Sequence, residues 1–430
     1  MHLPTKLHEI NLDHLKQVLQ DPQYWEKTLD RMKNKKHQLP QDIIEEAESL
    51  LFTQSYLAIV DRVFQNDYQW STPEKVQLAK VGTTKKRTVY LYSPIDRFIL
   101  GSIYRGMNEY FQNLFYPNCF SYRPNVTTKS AIMYISRMKE KRGLYGLKMD
   151  IQAYFNSVNK EHLIKCLDEL FPTATPFRQS MNQIFLDDTV LFSGTHQQEY
   201  KSLIPGSALG SFFANYCLRD LDKYFYENDI IYARYSDDII ILDETPDKIN
   251  EHLAFINQHL DKYGLKINPT KYVHFNPTDD VDYLGLTLSN RGIDISPHAK
   301  KKLKRTIKRW VKKARKEIEL GNTTFNKVAY RLVDRFNWKV YKSYIEDETK
   351  FGWAFYVFRY ITITDSIQEI DYYLRDQLRY LKTGKHNKAN VKALQDEDFR
   401  ELGVLSLYEM YKLFKLDLDY YKEAIAVLKP

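Results

Sequence analysis

Cysteine, glycine and proline are scarce in this chain of 430 residues, at 3, 15 and 15 respectively. Cys119, Cys166 and Cys217 are odd in number and widely spaced, which excludes a disulfide framework and a cysteine zinc site, so they read as free thiols. So little Gly and Pro excludes a collagenous or linker-dominated chain. No window approaches the roughly eighteen uncharged apolar residues that a membrane span needs. The opening MHLPTKLHEINLDHLKQ also lacks the apolar stretch of a secretory signal. The expected location is therefore soluble and cytoplasmic, with no membrane partner. What is present is globular composition, 43% hydrophobic and 27% charged, over a length that suggests about three domains.

Positive charge is in modest excess, 63 Lys and Arg against 55 Asp and Glu, and it is clustered. The 33 Tyr exceed what cores need. Amphipathic rings beside basic residues suit stacking on unpaired bases, so composition points toward nucleic acid.

Residues 1 to 80 read as helical and polar, with apolar recurrences such as Ala47, Leu50, Leu51 and Leu57. VGTTKKRTVYLYSP then has the content of a hairpin with a basic loop, and a helix is expected from Asp96 with Phe98, Ile99, Ile103 and Met107 on its apolar face. From 144 to 290 short apolar strands alternate with helices, an α+β or α/β pattern. Beyond Pro297, KKLKRTIKRWVKKARKEIELGN places Leu303, Ile307, Trp310, Ala314 and Ile318 on one stripe and Lys or Arg nearly everywhere else. So many like charges repel along one helix unless a polyanion neutralises them, which makes Lys304, Lys308 and Lys312 candidate phosphate contacts. The remainder is helical and rich in aromatics.

Adjacent carboxylates occur at Asp187 with Asp188, Asp237 with Asp238, and Asp279 with Asp280. Only the middle pair has informative surroundings. Ile230 to Ala233 precede Tyr235-Ser236-Asp237-Asp238 and Ile239 to Leu242 follow, which predicts a hairpin with two acids at its tip. LYGLKMDIQAYFNSV supplies a third acid, Asp150, at the end of another apolar run, with a helix expected to begin near Asn159. Such carboxylates can hold two divalent cations for an in-line displacement at phosphorus, the chemistry of nucleases and polymerases alike.

The order of the surrounding segments resembles that of a reverse transcriptase. RTVYLYSPIDRFILGSIY is similar to the first fingers motif and FSYRPNVTTKSAI to the segment after it. DIQAYFNSV resembles the motif bearing the first catalytic Asp, and LIPGSALGSFFANYCLRDLD the template and nucleotide motif. YSDD is similar to YxDD, GLKINPTK to GLxLNxxK, and DYLGLTL to the primer grip. The resemblance implies an α+β right-hand polymerase. Its parts would be a helical extension (1–81), fingers and antiparallel palm (82–292), a basic helical thumb (293–385) and a helical C-terminal extension (386–430). It also implies a metal-binding catalytic triad of Asp150, Asp237 and Asp238 with Mg²⁺ or Mn²⁺ as cofactor. Nucleotide contacts would come from Lys85, Arg87, Gly206, Ser207 and Lys271, and Phe155 would be a steric gate against the ribose 2′-OH. Tyr235, Arg123, Leu284 and Gly285 would meet nucleic acid. Lys271 would donate a proton to the leaving pyrophosphate.

Departures from the family pattern are also present. Pro205 stands where the family has Gln, which puts template dependence in question. No HNH-type cluster or RNase H constellation follows residue 290, the retron NAxxH and VTG are missing, and Gly210 and Ser211 replace the SQ of diversity-generating enzymes. What remains resembles bacterial unknown-group reverse transcriptases, many of them antiphage defence proteins. The implied partners are a structured noncoding RNA template, deoxynucleoside triphosphates and the cDNA product, together with a homo-oligomeric copy or a second defence protein. The competing expectations are a template-independent or protein-primed deoxynucleotide polymerase and a nonenzymatic, maturase-like RNA scaffold.

Overall fold

In the computed structural model the described residues are 10–33, 41–79, 86–342, 352–386, 388–426 and 428. They divide into two compact units, one running to Thr278 and the other from Asp279 onward. Each is α+β.

The first unit contains eight strands: β1 (Glu74–Ala79), β2 (Lys86–Leu91), β3 (Tyr145–Asp150), β4 (Thr189–Phe192), β5 (Thr195–Gln198), β6 (Ile231–Tyr235), β7 (Asp238–Asp243) and β8 (Val273–Phe275). They form two sheets, ordered β2-β1-β4-β5 and β6-β7-β3-β8. The second is antiparallel throughout. Ile239, Ile240, Ile241 and Leu242 are all buried, so β7 is apolar on both faces and takes a central position. The register is fixed along its length: Leu147 faces Ile241, Met149 faces Ile239, and Asp150 faces Asp238. A slip of one residue would turn the acids and the isoleucines to the wrong faces. Helix Pro246–Lys262, capped by the Thr245 side chain, packs on β3 and β7 through buried Ile249, Ile256 and Leu260.

Four helices open the unit (Leu12–Gln20, Pro22–Lys33, Gln41–Phe52 and Tyr56–Phe64), as the polar, apolar-recurring sequence predicts. Leu15, Val18, Leu19 and Trp25 join the same core as the sheet residues. The extension is therefore part of this unit rather than separate from it. The helical reading overruns at its end, because 74–79 is strand. EKVQLA pairs in register with KRTVYL, Glu74 opposite Leu91, and that pairing outweighs the helical propensity of its Glu, Lys and Leu. The next helix is Pro94–Tyr110. It starts two residues before Asp96, with Pro94 in its first turn and Ser93 as cap. Asp96 is buried within it and accepts from the Tyr68 hydroxyl at 2.7 Å and the Ser71 amide at 2.8 Å.

The second unit begins with an antiparallel sheet of β9 (Val281–Tyr283), β10 (Leu286–Ser289) and β11 (Gly292–Ile295), and continues as helices. Its start at Asp279, rather than at the expected 293, puts this small sheet with the helices that follow. The Thr362 hydroxyl accepts from the Ile293 amide at 2.9 Å, and the Ile293 carbonyl accepts from the Thr362 amide at 2.8 Å. On the basic helix, Pro297–Glu319, the buried positions are Leu303, Thr306, Ile307, Val311 and Ala314. Trp310 and Ile318 are only half-buried, because a helix drifts off a strict stripe over that length. Buried Asp371 caps helix Leu407–Leu416, accepting from the Leu407 and Tyr408 amides at 2.8 and 2.9 Å.

Gly210 lies in helix Ala208–Tyr216, where a Cβ would sit 2.0 Å from the Leu203 carbonyl oxygen. Neither backbone can yield there. Gly210→Ala is expected to destabilise the protein by about 1–3 kcal/mol, the usual range for overpacking. Urea unfolding checks this, and wild-type stability in the variant would contradict the close approach.

Candidate active site

The hairpin of β6 and β7 pairs Tyr235 with Asp238, leaving Ser236 and Asp237 as its two tip residues. Ser236 has φ of 61° and is buried. A serine is held in the left-handed region only where its surroundings fix it. Here the Ser236 amide donates to Ser121 Oγ at 2.9 Å, and the Tyr122 hydroxyl donates to Ser236 Oγ at 3.2 Å.

The larger support is Arg234, fully buried one residue before Tyr235. Its guanidinium is paired with the Asp222 carboxylate, Nε at 2.8 Å from Oδ1 and Nη2 against Oδ2. It also donates to the carbonyls of Ser236, Ala214 and Asn215 at 3.3, 3.4 and 3.1 Å. Tyr232 adds its hydroxyl to Asp222 at 3.0 Å. Asn215 Oδ1 accepts from Ser121 Oγ at 2.7 Å, and its Nδ2 donates to the Ser121 carbonyl. Arg234, Asp222, Asn215 and Ser121 are absent from the sequence-based set. The available signal was a charged Arg in the otherwise apolar IIYAR, where the chain cannot afford a charge without a partner.

Asp150 ends β3 opposite Asp238, and the Ile151 amide donates to the Asp237 carbonyl at 3.0 Å. The three predicted acids are therefore brought to one end of one sheet. Lys271 Nζ lies 2.8 Å from Asp150 Oδ2, and the Asn268 amide donates to the Asp150 carbonyl at 2.8 Å. Burial raises the pKa of Asp237, and the Asp150 charge raises it further. Burial pushes Asp238 up to about 7, with Asp237 and Asp150 adding to the rise and Lys148 opposing it. Lys148 Nζ is 3.5 Å from Asp238 Oδ1, a buried oxygen with no hydrogen bond of normal geometry. An all-oxygen set of ionisable carboxylates with an unsatisfied buried oxygen fits a hard divalent cation.

The other predicted residues divide. Phe155 is half-buried on the short helix Tyr154–Ser157, its ring edge-on to Tyr122 with centroids 6.2 Å apart. Its neighbour Tyr154 turns inward and donates to the Ala214 carbonyl at 2.6 Å. Arg87 stands exposed on β2, close enough for its charge to act on Asp237 and Tyr122. Gly206, at φ 107°, runs against β2, where the Tyr90 amide donates to the Pro205 carbonyl at 2.7 Å. Ser207 precedes helix Ala208–Tyr216 with its Oγ buried and without a hydrogen bond. Tyr235 is half-buried, 6.4 Å from the Tyr122 ring.

Arg123 turns inward instead. Its Nη1 donates to the Tyr116 and Cys119 carbonyls, both at 2.9 Å, so it braces its own loop. Lys85 lies outside the described residues. In the second unit Leu284 and Gly285 form the tight turn between β9 and β10, with φ of 50° and 87°. Lys304 pairs with Glu369 at 2.5 Å, whereas Lys308 and Lys312 are exposed.

Residues 82–288, just under half of the chain, match the family model of the reverse transcriptase (RNA-dependent DNA polymerase). That family comprises RNA-directed DNA polymerases, nucleotidyltransferases that generally use divalent metals. Over 80 residues, 19% of the chain, it is 32% identical to Polyprotein P3 of Commelina yellow mottle virus, of which it spans 4%. Among solved structures it is similar to apo telomerase from Candida tropicalis truncated from its C-terminal domain. That match has 12% identity and a TM-score of 0.40, and covers 52% of this chain and 55% of that one. It is also similar to telomerase from Candida albicans in complex with a telomeric RNA fragment. There the identity is 12% and the TM-score 0.39, over 88% of this chain and 71% of that one. A third is the RNA-dependent RNA polymerase of a human picobirnavirus, deleted for its insertion loop, at 13% identity and a TM-score of 0.38, over 52% and 45%. The chain thus spans little of the polyprotein and about half of the first telomerase.

The raised pKa of Asp238 has a consequence for stability. The unfolded chain releases this proton near 3.8 and the folded, metal-free chain near 7, so the folded state binds more protons between those values and stability falls as pH rises through them. Each unit of that window is worth at most about 1.4 kcal/mol. Asp238→Asn should remove this share of the decline and raise the melting temperature of chelator-treated protein at neutral pH. Thermal melts across pH 4 to 8 check it, and parallel curves for variant and wild type would refute the assignment.

Proposed function

We propose that this chain, whose residues 82–288 form a reverse transcriptase domain, copies an RNA template into DNA from deoxynucleoside triphosphates with Mg²⁺ as the working cation. The observation that carries this reading is the convergence of Asp150, Asp237 and Asp238 at one sheet end, with Phe155 and Arg87 flanking Tyr122 beside them. Cations held by Asp150 and Asp237 would lower the pKa of the attacking hydroxyl and stabilise the leaving oxygen.

The side chains supply the rest. Arg87 gives the incoming triphosphate a fixed cation at the mouth of the site. Phe155, with Tyr154 fixed inward behind it, sets a ring where a ribose 2′-OH would collide. Gly206, whose missing side chain lets it lie against Val89 and Tyr90 of β2, meets the substrate through its backbone, with Ser207, at the head of helix Ala208–Tyr216. Lys271 carries the proton that the leaving pyrophosphate takes up. Lys308 and Lys312 contact the phosphate backbone of the template duplex, while Lys304 is held back by Glu369.

The resemblance to bacterial unknown-group enzymes supports a use in antiphage defence with a structured noncoding RNA as template. Pro205 supports a second reading, weakly templated or protein-primed synthesis, since it provides no amide side chain for template or nucleotide.

The direct test is labelled deoxynucleotide incorporation on RNA with and without template. Asp237→Asn should lower it at least about a hundredfold while leaving the fold intact. Variant activity close to wild type would overturn the catalytic assignment, and undiminished synthesis without RNA would favour the second reading. Phe155→Ala should raise ribonucleotide use relative to deoxynucleotide use. An unaltered ratio in a folded variant would remove Phe155 from the gate. Replacing Lys308 and Lys312 by Glu should flatten the slope of log affinity for RNA against log salt by about 1 to 2, and an unchanged slope would return these lysines to a solvated face.

A further inference from the structure

A second cluster of ligand-type side chains lies outside the carboxylate site. His162 and Cys166 are one turn apart on helix Lys160–Leu170, on the same face, and Cys217 ends helix Ala208–Tyr216. Their ligand atoms all lie within 4.8 Å of one another. The residues are 7%, 2% and 1% exposed. His162 Nε2 is 3.7 Å from Cys166 Sγ and 2.7 Å from the Cys217 carbonyl oxygen. The imidazole stacks on the Tyr263 ring at 3.7 Å and 18°, which fixes its plane. Sequence spacing alone excluded a cysteine metal site. The fold reverses that exclusion by adding a histidine from the helix of one cysteine and delivering the second cysteine from another helix.

Two thiols and an imidazole converging in a buried volume form a soft donor set, unlike the hard oxygen set of the acids. We propose that His162, Cys166 and Cys217 form a second metal site, for a thiophilic d¹⁰ ion, zinc(II) or copper(I). On binding, two S–H bonds break, two metal–sulfur bonds form, and two protons leave to solvent. The imidazole turns its Nε2 lone pair to the ion and carries its proton on Nδ1. With zinc the two thiolates balance the charge, so a neutral centre is buried at little electrostatic cost. The Cys217 carbonyl, already beside Nε2, is the fourth donor that zinc requires, while copper(I) accepts three. The ion would tie helix Lys160–Leu170 to the end of the helix whose Ala214 and Asn215 carbonyls receive Arg234.

The test uses the full chain, reduced and metal-stripped, with excess Mg²⁺ to fill the carboxylates. Titration with Co²⁺ should give a thiolate-to-cobalt charge-transfer band that saturates near one ion per chain and is displaced by Zn²⁺. An anaerobic competition against a Cu⁺ chelator separates the two ions. Cys166→Ala and Cys217→Ala should each weaken binding by more than about a hundredfold, and Cys119→Ala should leave the band in place. Failure of folded wild-type protein to take up Co²⁺, Zn²⁺ or Cu⁺ would overturn the proposal. So would a band that survives both cysteine variants, or a Cys166–Cys217 disulfide formed in place of metal uptake. None of these readouts depends on polymerase activity, so the site stands or falls independently of the proposed function.

Discussion

The ion pair between Arg234 and Asp222, both essentially without solvent contact, is the constraint on which the site depends. A buried pair of this kind contributes little net stability against an apolar replacement, yet losing one partner leaves an uncompensated charge and costs about 3–5 kcal/mol. Its use here is positional. The Arg234 guanidinium reaches the carbonyl of Ser236 at the tip and the carbonyls of Ala214 and Asn215 on another segment. The Arg234 backbone meanwhile exchanges hydrogen bonds with Asn118 and Phe120. Two stretches of chain, 118–120 and 214–222, are thereby tied to one hairpin.

Such a brace is needed because the hairpin carries groups that repel. Asp237 and Asp238 are half-buried beside Asp150, whose charge makes ionisation of both harder, and Asp237 does the same to Asp238. In the free protein the repulsion is partly offset by Lys271 against Asp150 and Lys148 near Asp238. Neither lysine matches the charge of a divalent ion, so the site is left under electrostatic strain that the proposed cation would relieve. The fold holds the carboxylates at a cost in stability, and that cost is what a bound cation would recover as affinity.

Much of this was legible in the sequence because it lies in local pattern. An isoleucine run after YSDD gives a central strand, Asp150 ends another, and Asn159 caps the helix that follows, as expected. What was not legible depends on which partner each group finds in the fold. The pairing that makes 74–79 a strand is set by residues 86–91, Arg123 is claimed by carbonyls before it in its own loop, and Lys304 by Glu369 from a later helix. A charge in a sequence gives no indication of whether the fold will use it internally. Conversely, nothing local marks Asp222 as the partner of Arg234, or joins Cys217 to His162 and Cys166.

The central claim is that the three carboxylates form a cation site in which a metal replaces the lysine now beside Asp150. A crystal structure of the protein soaked with Mn²⁺, read by anomalous scattering, tests it most directly. The account predicts anomalous density about 2.0–2.2 Å from oxygens of Asp150 and Asp237, with the Lys271 ammonium withdrawn from Asp150. The absence of that density, with Lys271 still paired to Asp150, would contradict it.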